Sequence, residues 1–266
     1  MADDLVDDAA TPAEARDWIG RLTNFLNLSY LDASKRAEVV DYVTAEFPPH
    51  VRRALLQLPT GYLSKGPLYD LLKGFEMDLT FAENRSESEM SHYPIRNESD
   101  LEVYGARVAG TVAELCLELV FHHYGAASSE AKQRFISAGG RMGVALQYVN
   151  ISRDVEVDAR INRVYLPVTW LEEEGLTPQA VIKNPKGTEI EKLRSRLLDR
   201  AFSIYEGSRD AINELPVEAR GPMRVAVESY MEIGRVLRQK GYQINAGRAT
   251  VPKGRRIRVA WQALSK

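Results

Sequence analysis

The sequence predicts an all-α protein, and three observations support this. Apolar residues recur with the helical period in almost every patterned segment, and helix start and stop signals bound these segments at helix lengths. Alternating strand patterns bounded by Asn-Gly or Asp-Gly turns do not occur. The chain has 266 residues and no internal repeat, which is enough for one large domain with a buried core. We therefore expect a single helical bundle over residues 1–266.

The individual helices are placed by their start signals. Thr11, Pro12 and Glu14 match a capping box, so the first long helix is expected to run from there to about Leu28. The polar stretch 83–99, rich in serine, asparagine and charge, is predicted to be an exposed loop. A short turn and helix is expected over 165–175. The other predicted helices cover 32–47, 67–81, 100–123, 128 or 129 to beyond 158, 188–213 and 221–242.

Composition argues against several classes of function. The chain has 35 basic and 37 acidic residues, so it lacks the basic excess of a nucleic-acid-binding protein, and no nucleic-acid partner is expected. Its one cysteine, Cys116, cannot form an internal disulfide or a thiolate cluster, and we expect it to be buried. The longest apolar run, 112–121, is interrupted by Glu114 and Glu118 and is too short to span a bilayer.

The predicted helix around Asp154 has an unusual distribution of polar residues. At 100° per residue, five polar or small positions fall within an arc of roughly 80°, whereas apolar residues occupy the rest of the circumference. A helix that is apolar on most sides belongs in the interior, so its polar stripe also faces inward. Buried carboxylates are unfavourable unless they are paired or bound to a metal. The stripe consists of Gly143, Gln147, Asn150, Asp154 and Asp158.

Two pairs of aspartates have the spacing of one helical turn. Asp154 and Asp158 can reach a common Mg²⁺ ion, which prefers oxygen ligands and completes its shell with water and substrate phosphates. Asp3 and Asp7 form the second pair, and two pairs are the minimum for holding a diphosphate through several metal ions. Each pair has a simpler alternative. The first pair could be a solvated acidic face with Arg153 and Arg160 as surface partners, and the second could favour the helix macrodipole without any function.

Four segments of the chain, taken together, resemble an enzyme family. The sequence LQYVNISRDVEVD over 146–158, followed by RVYLP, is similar to the second aspartate-rich signature of the squalene and phytoene synthase family. DDLVD over 3–7 resembles the first signature, 69–79 resembles the segment between them, and YGARVAGTV over 104–112 resembles the tyrosine-containing helix. The segment 170–178 makes the resemblance greatest to the phytoene synthase part of fungal bifunctional lycopene cyclase/phytoene synthases.

The resemblance implies both a fold and a reaction. The fold is the isoprenoid synthase helical bundle around a central prenyl-binding cavity. The reaction is head-to-head condensation of two geranylgeranyl diphosphates to phytoene with release of diphosphate, the first committed step of carotenoid biosynthesis. It depends on Mg²⁺, with Mn²⁺ as an alternative. Two other interpretations stay open: a squalene or dehydrosqualene synthase acting on farnesyl diphosphate, with NADPH in the squalene case, and a non-catalytic assembly factor.

The resemblance also assigns roles to residues. It implies that Asp3, Asp7, Asp154 and Asp158 hold the metal and, through it, the diphosphates. Asp154 and Asp158 are also predicted to be catalytic. Tyr104 matches a tyrosine that assists ionisation and proton handling. Asn150, Arg153 and Tyr230 are implied to contact the substrate.

The chemistry of such a reaction agrees with these roles. An allylic diphosphate ionises only if charge on the leaving group is neutralised, and the carbocation must be kept from water in an apolar cavity. Helix spacing predicts that this cavity is lined by Leu71, Phe75, Val108, Thr111 and Leu115.

Two further expectations concern the ends of the chain. In the family a helix precedes the first signature, whereas this chain begins two residues before Asp3, so segment 3–7 is expected to fray and the chain to be weakly active. Five basic and no acidic residues lie between Arg248 and Arg258, which suits either a solvated tail or contact with anionic lipid. The predicted location is peripheral, on the cytoplasmic side of a membrane, and membrane-bound if the full-length protein carries a lycopene cyclase domain.

Overall fold

The computed structural model describes residues 2–31, 36–83, 93–125, 128–239, 242 and 250–265. Within these ranges the chain forms helices and no strand, which confirms the all-α prediction. The helices are α1 (Ala2–Asp7), α2 (Pro12–Ser29), α3 (Arg36–Glu46), α4 (Pro49–Leu56), α5 (Lys65–Glu83), α6 (Glu98–Gly105), α7 (Thr111–Tyr124), α8 (Ser129–Arg160), α9 (Val168–Glu173), α10 (Pro178–Lys183), α11 (Thr188–Ser208), α12 (Val217–Leu237) and α13 (Lys253–Leu264).

The start signals place most helices correctly. The Thr11 hydroxyl accepts a hydrogen bond from the Glu14 backbone N–H at 3.2 Å and caps α2 as predicted. Ser128 caps α8 in the same way, whereas the predicted start of α3 at residue 32 lies outside the described residues. The structure adds α4, α10 and α13, which are short and begin at or just after a proline. Proline suits the first turn of a helix, but it is equally typical of loops.

The predicted helix 100–123 contains a π-helical segment, Ala106–Gly110, between α6 and α7. A π turn has more residues than an α turn. The residues of α7 that face the cavities therefore lie about one position later in the sequence than in an unbroken α-helix. Thr111 and Leu115 were predicted to line the cavity, but Val112 and Cys116 line cavities instead. Cys116 is exposed rather than buried. The prediction is wrong at these positions because it assumed an unbroken α-helical period.

Glycines allow α8 and α5 to approach the π segment closely. A Cβ atom on Gly143 of α8 would lie 2.5 Å from the Ala109 carbonyl oxygen, and one on Gly74 of α5 would lie 2.7 Å from Val108 Cγ1. Real Cβ atoms essentially never make non-bonded contacts this short, so a neighbouring atom would have to move. The π segment is therefore held between α5 and α8 by contacts that only glycine permits.

Two apolar clusters form the core on either side of these helices. One is built from α1 to α5 and includes Phe25, Phe47 and Phe75. The larger cluster is centred on α8, α11 and α12 and includes Tyr104 and Trp170. Residues of both clusters line a polar cavity at their boundary, so the core positions the candidate site.

We expect Gly143→Ala to destabilise the fold by about 1–3 kcal/mol, because the added methyl group meets backbone atoms that cannot turn aside. Gly20 lies inside α2 with nothing within 4 Å of a Cβ atom, so Gly20→Ala should instead stabilise the protein by about 0.5–1 kcal/mol. Urea unfolding of both variants measures the difference. An equal effect of the two substitutions would contradict the proposed contact.

Candidate active site

A polar cavity of about 460 Å³ lies where α5, the π segment and α8 meet. It contains the described side chains that the sequence assigns to metal binding or catalysis, together with Phe75, Val108 and Asn150. Leu71 lines it as predicted. The full lining is Asp7, Leu71, Phe75, Asp78, Tyr104, Val108, Val112, Gln147, Asn150, Ile151, Asp154, Asp158, Arg163 and Tyr165.

The stripe on α8 faces this cavity, and its first carboxylate is buried. Asp154 is 5% exposed, and Arg153 binds it with two hydrogen bonds, Nε to Oδ1 at 2.8 Å and Nη2 to Oδ2 at 2.6 Å. The Arg153 guanidinium also donates to the Asn150 side-chain oxygen. A solvated acidic face is therefore excluded for Asp154, and Arg153 is a partly buried cation beside two residues of the cavity lining.

Asp158 lies one turn further along α8 in a less favourable environment for its charge. Burial, followed by repulsion from Asp154, raises its pKa from 3.8 to about 7, although the charge of Arg163 acts in the opposite direction. At neutral pH the carboxyl group is therefore only partly ionised. A cation bound beside it would favour the ionised form.

Asp78 of α5 is a site residue that the sequence analysis left without a role. Its carboxylate accepts hydrogen bonds from the Tyr165 hydroxyl at 2.9 Å and the Tyr104 hydroxyl at 3.3 Å. Burial raises its pKa to about 6, and Arg163 and both tyrosines partly offset this shift. The two tyrosine rings stack with centroids 4.9 Å apart. Asp78 thus fixes the positions of both phenols. The available signal was its spacing from Leu71 and Phe75 on one face of α5.

Arg163 connects the carboxylates that come from different helices. Its Nη2 atom donates to Asp7 Oδ1 at 3.1 Å, and Nη1 lies 3.9 Å from Asp78 Oδ2. The turn after α8 places it here, because Asn162 takes a positive φ of 60° and the Arg163 N–H donates to the Asp158 carbonyl at 2.9 Å. Arg163 and Tyr165 both belong to the RVYLP segment, whose function the sequence alone did not indicate.

The structure describes the side chain of only one of the two amino-terminal aspartates. Asp7 lines the cavity, whereas the side chain of Asp3 lies outside the described residues. Val6 between them is buried in the cluster with α2 and α5, which places Asp7 opposite α8. The expected fraying of segment 3–7 stays a prediction.

An apolar cavity of about 360 Å³ adjoins the polar one. The two share Val108, Val112 and Gln147 in their linings. Tyr230 of α12 lines the apolar cavity, and its hydroxyl donates to Asn150 Oδ1 of the polar cavity at 3.3 Å. The combined space suits a ligand with an anionic head and a long apolar body.

Metal ligands are present only as separate carboxylates. Among the described residues, no group of three Asp, Glu, His or Cys side chains converges closely enough to hold a metal ion by itself. The same part of the chain contains no helix long and apolar enough to cross a membrane.

We expect Asp158→Asn to stabilise the metal-free protein at pH 8. The raised pKa means that the folded state retains a proton which the unfolded chain releases, so stability falls as pH rises from about 4 to 7. Asparagine removes this penalty, which is on the order of 1–3 kcal/mol at pH 8. Urea unfolding with chelator at pH 4.5 and pH 8 measures it. Asp210→Asn, at a side chain that is 88% exposed, is the control. A loss of stability in Asp158→Asn at pH 8 would contradict the prediction.

Solved structures share this fold. A dehydrosqualene synthase crystallised in complex with ligand matches with a TM-score of 0.66 and 18% identity, over 98% of this chain and 89% of that chain. A squalene synthase from Alicyclobacillus acidocaldarius matches with a TM-score of 0.62 and 19% identity, over 92% and 80% of the two chains. These likenesses confirm the predicted isoprenoid synthase bundle.

Sequence comparison finds more similar relatives. A bifunctional lycopene cyclase/phytoene synthase from Phaeosphaeria nodorum is 57% identical over 100% of this chain and 44% of its own length. The protein of the same name from Gibberella fujikuroi is 54% identical over 100% of this chain and 45% of its own length. The chain thus spans less than half the length of these relatives. The family model described as squalene/phytoene synthase matches residues 1–255. The chain belongs to the squalene/phytoene synthase family.

Proposed function

We propose that this chain is a phytoene synthase, which condenses two geranylgeranyl diphosphates head to head. The observation that carries the proposal is the direct junction of a cavity rich in carboxylates and arginines with an apolar cavity. Each prenyl diphosphate has the same division into an anionic head and an apolar chain. The names of the relatives that match the whole chain support the C20 substrate over the C15 one.

The arrangement of residues suggests how the chain supports this reaction. Arg153 and Arg163 bring positive charge to the carboxylate-rich end, where the diphosphates would lie. The buried phenols of Tyr104 and Tyr165, held by Asp78, line the polar cavity, where the diphosphates would ionise. The apolar lining excludes water from the resulting carbocation. Condensation releases two diphosphates and ends with loss of a proton, so it requires no reductant.

The carboxylates fit a divalent metal, on which the family generally depends. Burial and repulsion from Asp154 raise the pKa of Asp158, so a nearby cation would favour its charged form, and carboxylate oxygens are the ligands that Mg²⁺ prefers. We propose that Asp7, Asp154 and Asp158, with Asp3, hold Mg²⁺ or Mn²⁺ together with substrate phosphates. The bound metal would neutralise the diphosphate leaving group. The separation of the carboxylates agrees with a metal shell completed by substrate and water.

Product analysis tests the proposed reaction. We expect C20 diphosphate to be converted to a C40 hydrocarbon only when Mg²⁺ is present, with or without NADPH. When C15 and C20 diphosphates compete, the chain should prefer C20. Asp154→Ala and Asp158→Ala should each lower turnover at least about 100-fold, whereas the exposed Asp210→Asn should not.

The outcomes separate the alternatives. A preference for C15 diphosphate with an NADPH-dependent product would identify a squalene synthase, and a C15 preference without NADPH would identify a dehydrosqualene synthase. A chain that binds prenyl diphosphates but never turns them over, even when extended upstream by one helix, would be a non-catalytic assembly factor.

We further propose that the full-length protein carries a lycopene cyclase domain, because the relatives that match this chain are named as bifunctional and are more than twice its length. The chain itself would lie peripherally on the cytoplasmic side of a membrane, where its apolar substrate and product reside. Anionic lipids give that side a negative surface potential.

The surface that would contact the membrane is the exposed face of α13. Ile257, Trp261 and Leu264 are 71%, 69% and 62% exposed, and their spacing places them on one face of the helix. Val259 and Ala263 on the opposite side are buried. Such a helix, with an exposed apolar stripe and an opposite face docked on the protein, suits insertion at the level of lipid headgroups.

Charge around the stripe favours an anionic membrane over another occupant. α13 contains four basic and no acidic residues, and Val217, at the start of the neighbouring α12, adds a further side chain that is 69% exposed. Basic residues near such a surface strengthen attraction to anionic lipid. The basic residues of α13 are Lys253, Arg256 and Arg258, together with Arg255, which forms an ion pair with Glu232 of α12.

We expect the chain to bind vesicles that contain phosphatidylserine more tightly than vesicles of phosphatidylcholine alone, with binding weakened by salt. Ile257→Gln with Trp261→Gln should reduce binding about tenfold or more, because it removes the inserted apolar area. Tyr62→Gln, at an exposed residue between α4 and α5, is the matched control. Vesicle sedimentation measures the effect, and equal binding of all variants would refute the role of α13.

A further inference from the structure

The apolar cavity follows one face of α8 away from the polar cavity. The α8 residues that line it are spaced three and one apart from Phe135 to Gln147, which is the pattern of a single helical face. At 1.5 Å per residue these positions span about 18 Å. Gln147 belongs to both cavities, so Phe135 marks the end farthest from the carboxylates.

A third cavity, of about 490 Å³, opens on the surface beyond this far end. It lies between the end of α7, the start of α8 and the start of α12, and its lining includes Tyr124, Gly125 and Arg220. Arg134 and Glu214 form an ion pair beside it, with Nη2 and Oε2 2.6 Å apart. This outer cavity is therefore open to solvent and has a polar rim.

Only two residues line both the apolar cavity and the outer cavity, among the residues that the structure describes: Phe135 and Leu215. Their side chains are 5% and 3% exposed. The Phe121 ring stacks on Phe135 with centroids 5.9 Å apart, and the Arg134 guanidinium lies 5.0 Å from the Phe135 ring centroid. At this end, one layer of buried side chains thus separates the apolar cavity from the outer cavity.

We propose that Phe135 and Leu215 form a wall that sets the maximum length of prenyl chain this site accepts. The inference rests on the proposed function, since a prenyl diphosphate with its head among the carboxylates directs its chain along α8 toward this wall. A substrate with one more isoprene unit must displace buried side chains. Shortening either residue joins the apolar cavity to the outer cavity and removes that barrier.

The test compares C20 and C25 diphosphates in the 266-residue chain. Turnover is measured with both substrates, and binding is measured by calorimetry with their unreactive thiodiphosphate analogues. We expect the wild type to favour C20 in both measurements. Phe135→Ala and Leu215→Ala should each raise two ratios about tenfold or more: that of C25 to C20 turnover and that of C25 to C20 binding affinity. This is the range in which pockets discriminate between chain lengths.

Two matched controls separate the wall from a general loosening of the core. Ile136 is buried in the same cluster but lines none of the three cavities, and Leu117 lines the apolar cavity without reaching the outer one. Ile136→Ala and Leu117→Ala should leave the ratio near the wild-type value. Phe135→Leu should give an intermediate ratio, and it covers the case in which Phe135→Ala fails to fold.

The binding and turnover measurements test the wall and the proposed reaction separately. The wall is refuted if the wild type binds C25 as tightly as C20, if neither alanine variant changes the binding ratio, or if Ile136→Ala changes it equally. Altered binding ratios without any C40 product would support the wall while overturning the proposed condensation. Failure to bind either analogue would overturn both.

Discussion

The candidate site depends on buried carboxylates that outnumber the cations available to them. Asp78, Asp154 and Asp158 line one cavity, where Arg153 is committed to Asp154 and Arg163 is shared between Asp78 and Asp7. The raised pKa values of Asp78 and Asp158 express the resulting penalty. A protein selected only for stability would replace such carboxylates, since removing a poorly compensated buried charge is favourable. A divalent metal ion bound among them would supply the positive charge that the two arginines do not provide.

The helices around this cavity are arranged to hold its residues close together. Gly143 and Gly74 bring α8 and α5 into contact with the π segment, which places Tyr104 beside Asp78. The π segment then turns Val112, rather than Thr111, toward the cavities. π segments are uncommon and often occur at functional sites. Here Val108 of the segment lines both the polar and the apolar cavity where they meet.

The sequence predicts those features that a single helix encodes, and it fails where separate segments combine. The stripe from Gln147 to Asp158 could be predicted because periodicity alone places it on one face. Asp78 could not, because its role depends on hydroxyls from two other segments of the chain. Leu115 was assigned to the cavity on an α-helical period that the π segment breaks. α13 escaped prediction because its starting proline, Pro252, and its basic residues are equally typical of a solvated tail.

Under the proposed function, α8 would give a prenyl diphosphate a single orientation. Most amphipathic helices divide apolar from polar residues around their circumference, but the cavity-facing side of α8 divides them along its length. From Phe135 to Leu146 this face lines the apolar cavity, and from Gln147 to Asp158 it lines the polar one. A prenyl diphosphate laid along the helix satisfies both halves in one direction only, because reversing it would place a charged head against Phe135 and an alkyl chain among carboxylates. The same division would place the reacting carbon, next to the diphosphate, at the boundary near Gln147, which lines both cavities. Tyr230 and Asn150 meet at this boundary, so under the proposed function a hydrogen bond between two helices lies where the two halves of α8 join.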